Sequence, residues 1–261
     1  MNQTSSALVQ RATGLAPREE SRAATILIPL DGTEDALAAL PVARSIAQLE
    51  SASLHVVHIA ERTLPPLELL DKLGLGTDDV RGSIVDQTYG EPAEGIVRLA
   101  GEQQSPYIVM CTYTGQKEPS SELGHVAMEV VQLAPCPVVL VPPQRGQRPL
   151  LLRHVLMPHD GTPTSAATAC PAIEFAEQAN AELVVLHVAV PGAVPPIEPG
   201  SMTSPMYVDQ AQYEWPAWAQ EFLERAHCHP ESARRLRLEL AVGEVGTEIT
   251  RFARKNHVDL I

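Results

Sequence analysis

Aromatic side chains make up only 4% of this chain of 261 residues, so its core has to be built almost entirely from aliphatic side chains. Aliphatic cores are typical of parallel β-sheets that are covered by helices on both faces. The length is enough for one large domain or two domains of ordinary size. The scarcity of aromatic residues therefore favours an α/β fold.

Basic residues are also in short supply, since 19 Lys and Arg stand against 32 Asp and Glu and the formal net charge is −13. A surface of that charge repels phosphate backbones and anionic lipids, so we expect neither nucleic acid nor a membrane as a partner. The apolar runs fall well short of the roughly 20 residues that a membrane-spanning helix needs. The four cysteines form no Cys-x-x-Cys pair, which favours a reducing compartment, and we expect a cytoplasmic protein.

The common short motifs of catalysis are missing as well. The sequence contains no Gly-x-Ser-x-Gly elbow, no Gly-Lys-Ser/Thr phosphate loop and no His-Glu-x-x-His zinc pair. The run from His227 to His229 holds two histidines and a cysteine, but no second pair of ligands lies at zinc-binding spacing. We interpret that run as a loop before Pro230. We therefore expect a protein without catalytic residues and without a metal site of its own.

What the chain does contain is an internal repeat. The stretches TILIPLDGTEDALAAL (25–40) and HVLMPHDGTPTSAATA (154–169) both run from an apolar strand through Asp-Gly-Thr into a helical pattern. Their aspartates, Asp31 and Asp160, are 129 residues apart. A second apolar strand repeats at the same spacing, and a later helix repeats at a spacing of 153. Ordered matches of this kind indicate a duplicated domain with an insertion in its second copy.

Each copy alternates apolar strands with helical segments, which is typical of a parallel sheet with crossover helices. We divide the chain into a disordered N-terminal lead (1–23), a first domain (24–143), a linker (144–152) and a second domain (153–261). The strands expected in the first copy are 25–30, 53–59, 83–88, 106–111 and 137–141.

Local signals mark the first helix of each copy. Thr33 and Thr162 are the expected N-caps. Pro41 and Pro171 fall about two turns further on, where a proline inside a helix is expected to cause a kink.

The second copy stops at Ile261, which aligns with Ile108 of the first copy, and so has room for four strands. A parallel sheet cut there would leave an open edge and a bare apolar face, so we expect the chain to be a fragment of a longer protein. In the first copy the apolar run 137–141 is the expected sheet edge. We expect it to pair with another chain or, in an intramolecular pseudo-dimer, with the missing strand of the second copy.

Together these features resemble the universal stress protein family. The resemblance rests on an apolar strand ending in Pro-x-Asp-Gly, a second strand ending near a histidine, a helix start with Gly-x-Pro-x-x-x-Ile and a final APCPVVLVP strand. It covers about residues 24–143 and 153–261. It implies two Rossmann-like, doubly wound sheets of five parallel strands in the order 3-2-1-4-5, the second incomplete, and dimerisation through the last strand.

Many members of that family bind ATP and others do not. Those that bind it carry Gly, two residues, Gly, nine residues and then Gly-Ser or Gly-Thr, starting at the end of strand four. In this sequence Cys111, Thr114, Gly124 and His125 occupy the four positions, so one of the four residues survives. A Cβ at the first two positions stands where phosphate oxygens would approach the backbone. A shift of one residue, which makes Gly115 the second glycine, would restore part of the loop.

Other parts of the nucleotide site are better preserved. The resemblance implies that Asp31 contacts the adenosine part of a nucleotide and that the backbone of Ile59 meets the adenine. In a doubly wound sheet both residues lie at the carboxyl ends of strands, where the ligand crevice is found. Asp31 can also be explained as a turn former that bonds its own backbone. Asp160 and Val188 are the equivalent candidates in the second copy.

Three functions follow from these observations. The first is a non-catalytic stress-response binding and signalling module with a degenerate nucleotide site in the first domain. The second is a sensor of ATP or a related adenine nucleotide, with Mg²⁺ bound only together with the nucleotide. The third is an ATP hydrolase, for which the sequence displays neither a general base nor a metal-binding pair.

Overall fold

The computed structural model describes residues 24–114, 123–143, 148–190 and 236–261, together with Ser201, Glu221, Phe222 and Glu224. The expected disordered lead (1–23), Gly115 and the run from His227 to His229 lie outside the described residues. The chain divides into two compact units, of which unit 1 ends at Arg148 and unit 2 begins at Pro149.

Unit 1 is built on a five-stranded parallel sheet with the order β3-β2-β1-β4-β5. Its strands are β1 (Thr25–Pro29), β2 (Ser53–Ile59), β3 (Ile84–Thr88), β4 (Ile108–Cys111) and β5 (Val138–Val141). The fold class and the strand order predicted from the sequence are confirmed. The strand order reverses between β1 and β4, which pair through Leu27 and Ile108, and this is where a doubly wound sheet forms its ligand crevice.

Within the described residues of unit 1, four α-helices accompany this sheet: α1 (Ala39–Leu49), α2 (Pro66–Lys72), α3 (Pro92–Gln103) and α4 (His125–Leu133). An aliphatic cluster that includes Leu27, Ile96, Ile108 and Val130 packs α3 and α4 against the sheet. This packing holds the first turns of α3 and α4 over the carboxyl ends of the strands.

The two prolines do not kink long helices, and that expectation was wrong. In unit 1 a 3₁₀ turn (Asp35–Ala38) precedes α1, and in unit 2 a short helix, α5 (Pro163–Ala166), precedes α6 (Ala169–Gln178). Pro41 and Pro171 are each the third residue of the second segment. The missing proline N–H therefore falls among the first four N–H groups of a helix, which have no intrahelical acceptor. A break before the proline replaces the kink.

Unit 2 has a three-stranded parallel sheet made of β6 (His154–His159), β7 (Glu182–Ala189) and β8 (Leu236–Val242), in that order. Helix α7 (Val245–Lys255) follows β8. The expected fourth strand is a single parallel bridge between Val155 and Leu260. It is reinforced by Asp259, whose carboxylate accepts the N–H groups of Arg153 and His154 at 2.9 and 3.0 Å.

Within the part of the chain that the structure describes, none of the helices combines the length and the hydrophobicity that crossing a lipid bilayer requires.

Candidate functional site

A crevice of about 150 Å³ opens in unit 1 at the carboxyl ends of β1, β2 and β4. Its walls are mainly apolar side chains from the strand ends and from the first turns of α3 and α4. Four of the residues that the sequence proposed for a nucleotide site meet here, namely Asp31, Ile59, Cys111 and Thr114. The crevice is therefore the candidate functional site.

Asp31 organises the turn that leaves β1. Its Oδ1 accepts the backbone N–H of Thr33 at 2.9 Å and the Thr33 hydroxyl at 2.7 Å. The Thr33 hydroxyl oxygen in turn accepts the N–H of Ala36 at 3.3 Å, so Thr33 supplies a capping hydrogen bond, although the N-cap position of the 3₁₀ turn is held by Glu34. Between them Gly32 has φ +88°, and a Cβ there would lie 2.7 Å from the carbonyl oxygen of Lys72. The turn accordingly requires glycine at this position.

The second oxygen of Asp31 is bound across the crevice. The hydroxyl of Thr114, which follows β4, donates to Asp31 Oδ2 at 2.5 Å. Partial desolvation raises the pKa of Asp31, but the hydrogen bonds from Thr114 and Thr33 outweigh it and leave the pKa below its ordinary value. Asp31 is thus a carboxylate at neutral pH, and Thr114 links the two sides of the crevice.

Cys111 ends β4 with a buried thiol that donates to the carbonyl of Tyr113 at 3.0 Å. Burial raises the pKa of this thiol, and the nearby carboxylates of Asp35 and Asp31 raise it further. A neutral, hydrogen-bonded thiol is neither a nucleophile nor a donor aimed at a phosphate.

Gly124 survives in this sequence for a reason that involves no ligand. Its N–H donates to the carbonyl of Thr112 at 2.8 Å, and a Cβ would approach that oxygen and the Tyr113 Cα to 3.3 Å. The glycine lets the start of α4 pack against the end of β4. The next residue, His125, has a side chain that is 91% exposed and lies 3.8 Å from Glu129, so it does not line the crevice.

Several residues that line the crevice were missed by the sequence analysis. His58 is buried, and its Nδ1–H donates to the carbonyl of Leu30 at 2.8 Å, which ties β2 to the turn after β1. Pro92 and Ile96 form the wall on the α3 side, and Val126 forms it on the α4 side. Pro92 and Ile96 belong to the Gly-x-Pro-x-x-x-Ile pattern, which carried a usable signal because it places both at the start of a crossover helix.

Unit 2 repeats the aspartate turn, but here the hydrogen bonds to the aspartate come from residues that lie close to it in the sequence. Asp160 Oδ1 accepts the N–H and hydroxyl of Thr162 at 2.9 and 2.7 Å, and the hydroxyl of Ser165 at 2.6 Å. Unit 1 has Ala36 at the position of Ser165, so its aspartate depends on Thr114 instead. Val188 lies near the end of β7 and packs against the core cluster of Leu156, Val184 and Leu186.

A histidine replaces Leu30 in unit 2. The buried ring of His159 accepts the N–H of Gly161 through Nδ1 at 2.8 Å and packs edge-on against Phe222, with centroids 4.7 Å apart. Its carbonyl accepts Nδ1–H of His187 at 2.9 Å, as Leu30 accepts that of His58. Burial lowers the pKa of His159 to about 4.

Among the residues that the structure describes, no three His, Cys, Asp or Glu side chains are grouped so that they could hold a metal ion.

Comparison with known proteins gives a consistent family. The family model of the universal stress proteins matches residues 152–261. The "universal stress protein in QAH/OAS sulfhydrylase 3'region" of Thermus aquaticus is 34% identical over 133 residues, covering 45% of this chain and 97% of the relative.

Solved structures extend the similarity over both units. A functionally unknown protein from Pseudomonas aeruginosa PAO1 has a TM-score of 0.62 at 18% identity, covering 91% of this chain and 80% of its own. A universal stress protein from Archaeoglobus fulgidus has a TM-score of 0.58 at 13% identity, covering 91% and 85%. At these identities the two structures support the fold alone.

Proposed function

Since this chain belongs to the universal stress protein family, we propose that it acts as a non-catalytic, cytoplasmic stress-response module whose unit 1 keeps the family's crevice without a working phosphate cradle. The observation that carries the proposal is the hydrogen bond from Thr114 to Asp31. A residue standing where the ATP-binding pattern has its second glycine takes one of the two acceptor positions on the carboxylate oxygen that a nucleoside hydroxyl would use, and its side chain stands where a glycine would leave the backbone open to phosphate.

The backbone around the crevice supports the same conclusion. A phosphate cradle needs free N–H groups on glycines and at a helix N-terminus. Here the N–H of Gly124 is donated to Thr112, and Cys111 adds a buried side chain at the other glycine position. The space of about 150 Å³ is also below the roughly 300–1,000 Å³ of ordinary small-molecule pockets.

The charges around the crevice also disfavour a nucleotide. Asp31 is a carboxylate, and the chain as a whole carries a formal charge of −13. A triphosphate would have to approach this surface without the close backbone contacts that stabilise phosphate in other nucleotide sites.

The proposal excludes turnover for a chemical reason. Hydrolysis of ATP requires positioned groups that stabilise the charge on the transferred phosphoryl group, together with a metal ion. In the described part of unit 1 the polar side chains of the crevice are one carboxylate, one neutral thiol, one hydroxyl and the His58 imidazole, and each of them bonds to another of these groups or to the backbone.

Calorimetric titration of the purified protein with Mg·ATP tests the proposal directly. We expect no binding in the micromolar range, and no phosphate release above a protein-free blank. A micromolar dissociation constant would establish the nucleotide sensor instead, with the cradle in the Gly115 register. Phosphate release that depends on the protein would establish the hydrolase.

We further propose that unit 1 associates with a second copy of the chain through β5. The carbonyls of Pro137 and Val141 accept the N–H groups of Ile108 and Thr112, so the N–H of Leu140 points away from β4. The exposed apolar residues of α4, Met128, Val131 and Leu133, are 43%, 45% and 55% accessible and precede this strand. An uncharged edge of this kind is a template for pairing with another strand.

Leu140→Pro is expected to lower the dimer fraction in sedimentation velocity, because proline removes the outward N–H without touching the β4 ladder. Val85→Pro is the matched control. It removes an outward N–H from β3 at the opposite edge, since Thr88 in the same strand turns its carbonyl toward Ala60. Equal effects of the two variants, or a clean monomer of the unmodified protein at high concentration, would contradict association through β5.

A further inference from the structure

The crevice of unit 1 has the dimensions of a single ring. Its volume of about 150 Å³ equals that of an engineered apolar cavity, in another protein, that binds one benzene molecule. Its walls include Val57, Ile96, Met110 and Val126, so an apolar ring bound there would remove few polar groups of the protein from water. A six-membered ring fills a space of this size.

The polar group at the mouth of the crevice is not fully used. Each oxygen of a carboxylate offers about two acceptor positions. Oδ1 of Asp31 accepts two hydrogen bonds, both from Thr33, whereas Oδ2 accepts one, from Thr114. Among the described residues only Thr114 donates to Oδ2, so one acceptor position on that oxygen is open to a ligand.

The charge of Asp31 points to the kind of donor. Within the described residues it makes hydrogen bonds only to hydroxyl and amide donors and takes part in none of the ion pairs. A charged donor forms a shorter and stronger hydrogen bond with a carboxylate than a neutral donor does. The formal charge of −13 favours a cation over an anion in the same way.

We infer that the crevice binds a compact amine, a single apolar ring with an ammonium group, whose ring packs against Ile96 and Met110 and whose ammonium donates to Asp31 Oδ2. This inference rests on the proposed function, because it assigns a ligand class to the crevice once phosphate binding has been lost. Thr114 holds the carboxylate in place for the ammonium, so the group that excludes a nucleotide prepares the site for an amine.

Three probes of nearly the same shape test the inference: benzylamine, benzyl alcohol and benzoate. Binding is followed by methyl chemical shifts of the protein in NMR titrations. We expect saturable shifts for benzylamine with a dissociation constant on the order of millimolar, the range for a ligand of so few atoms. Benzyl alcohol is expected to bind at least fivefold more weakly, and benzoate not to bind.

Two variants and a control locate the site. Asp31→Asn keeps an oxygen for the Thr33 turn and is expected to remove the preference for the amine. Val126→Phe extends into the crevice from α4 and is expected to abolish binding of benzylamine and of benzyl alcohol. Asp160→Asn makes the same change in the turn of unit 2 and is expected to leave the titration unchanged.

The inference is overturned if benzylamine gives no saturable shifts, if benzoate binds equally well, or if Asp31→Asn leaves the preference intact. Its failure is distinct from that of the proposed function. Micromolar Mg·ATP binding refutes the proposed function, whether or not benzylamine binds. If neither Mg·ATP nor benzylamine binds, the amine site is refuted and the proposed function stands.

Discussion

Replacing Cys111 and Thr114 by glycine and His125 by serine is expected to create ATP binding in unit 1. The two glycines remove the Cβ atoms from the cradle and allow the close backbone approach that phosphate oxygens need. Loss of the Thr114 hydroxyl releases Asp31 Oδ2. Serine in the first turn of α4 adds a hydroxyl donor at the positive end of the helix. Recovering one or two charge-assisted hydrogen bonds amounts to about 1–3 kcal/mol, or roughly a 5- to 150-fold gain in affinity.

Calorimetry with Mg·ATP measures this gain against the unmodified protein. Thr114→Val is the matched control, because it removes the hydrogen bond to Asp31 and keeps the side-chain volume. If Thr114→Val binds ATP with the same affinity as the triple variant, the hydrogen bond to Asp31 alone prevents nucleotide binding and the Cβ atoms have no effect. Asp31→Ala in the triple variant is expected to weaken ATP binding again. An unchanged affinity would show that Asp31 does not contact the bound nucleotide. Each added glycine costs roughly 0.5–1 kcal/mol of stability, so thermal unfolding should accompany the titration.

Unit 2 is expected to lose stability as the pH falls from about 6.5 to about 4, and His159→Leu is expected to remove most of that loss. The folded-state pKa of His159 is lowered from 6.5 to about 4, chiefly by burial. Below pH 6.5 the His159 imidazole is therefore protonated in the unfolded chain but still neutral in the folded chain. The free energy of unfolding accordingly decreases as the pH is lowered, until the folded-state pKa is reached. The full difference is about 3 kcal/mol at 1.36 kcal/mol per pKa unit. Burial lowers the pKa of His187 as well, which adds a loss in the same direction.

Urea unfolding at pH 7 and pH 4.5 checks this prediction. The backbone amide signals of β6 and β7 in NMR spectra follow the unfolding of unit 2, because both strands belong to that unit. His159→Leu loses the bond to Gly161 at every pH, so the test is the difference between the two pH values. His257→Asn changes an exposed histidine and is the control. An equally steep pH dependence in His159→Leu would show that other groups cause the acid sensitivity. The carboxylates of Asp31 and Asp160 cannot do so in this window, because their lowered pKa values place their contribution below pH 4.

The fold of unit 1 could be predicted because its signals are local and repeated. Apolar runs of strand length, turn residues after β1 and helix caps lie within a few residues of each other, and the duplication shows the pattern twice. The break before Pro41 escaped prediction because a 3₁₀ turn and an α-helix share the same apolar spacing over so few residues.

The candidate site was predictable only in part. Asp31 and Ile59 were proposed because they match positions of the nucleotide site in the family that the sequence resembles, and both line the crevice. The hydrogen bond from Thr114 to Asp31 joins residues that are 83 positions apart, and the sequence pattern does not predict the orientation of the Thr114 hydroxyl. Gly124 was interpreted as the remnant of a cradle, whereas a Cβ there would also lie only 3.3 Å from the backbone of Thr112 and Tyr113, so close packing alone favours glycine. Packing can preserve a glycine after its ligand contact has gone.

The aspartate turns bear on how duplicated genes diverge. Asp160 satisfies Thr162 and Ser165 without any ligand, and Asp31 does the same for Thr33. Selection for folding alone is then enough to maintain the aspartate in both descendants of an ancestral domain, while the loop after β4 is free to drift. An aspartate at this turn accordingly records common ancestry, and the glycines of the later loop record whether a lineage still handles phosphate. The aspartate alone is therefore weak evidence of nucleotide binding, because the folding of the turn is enough to explain it.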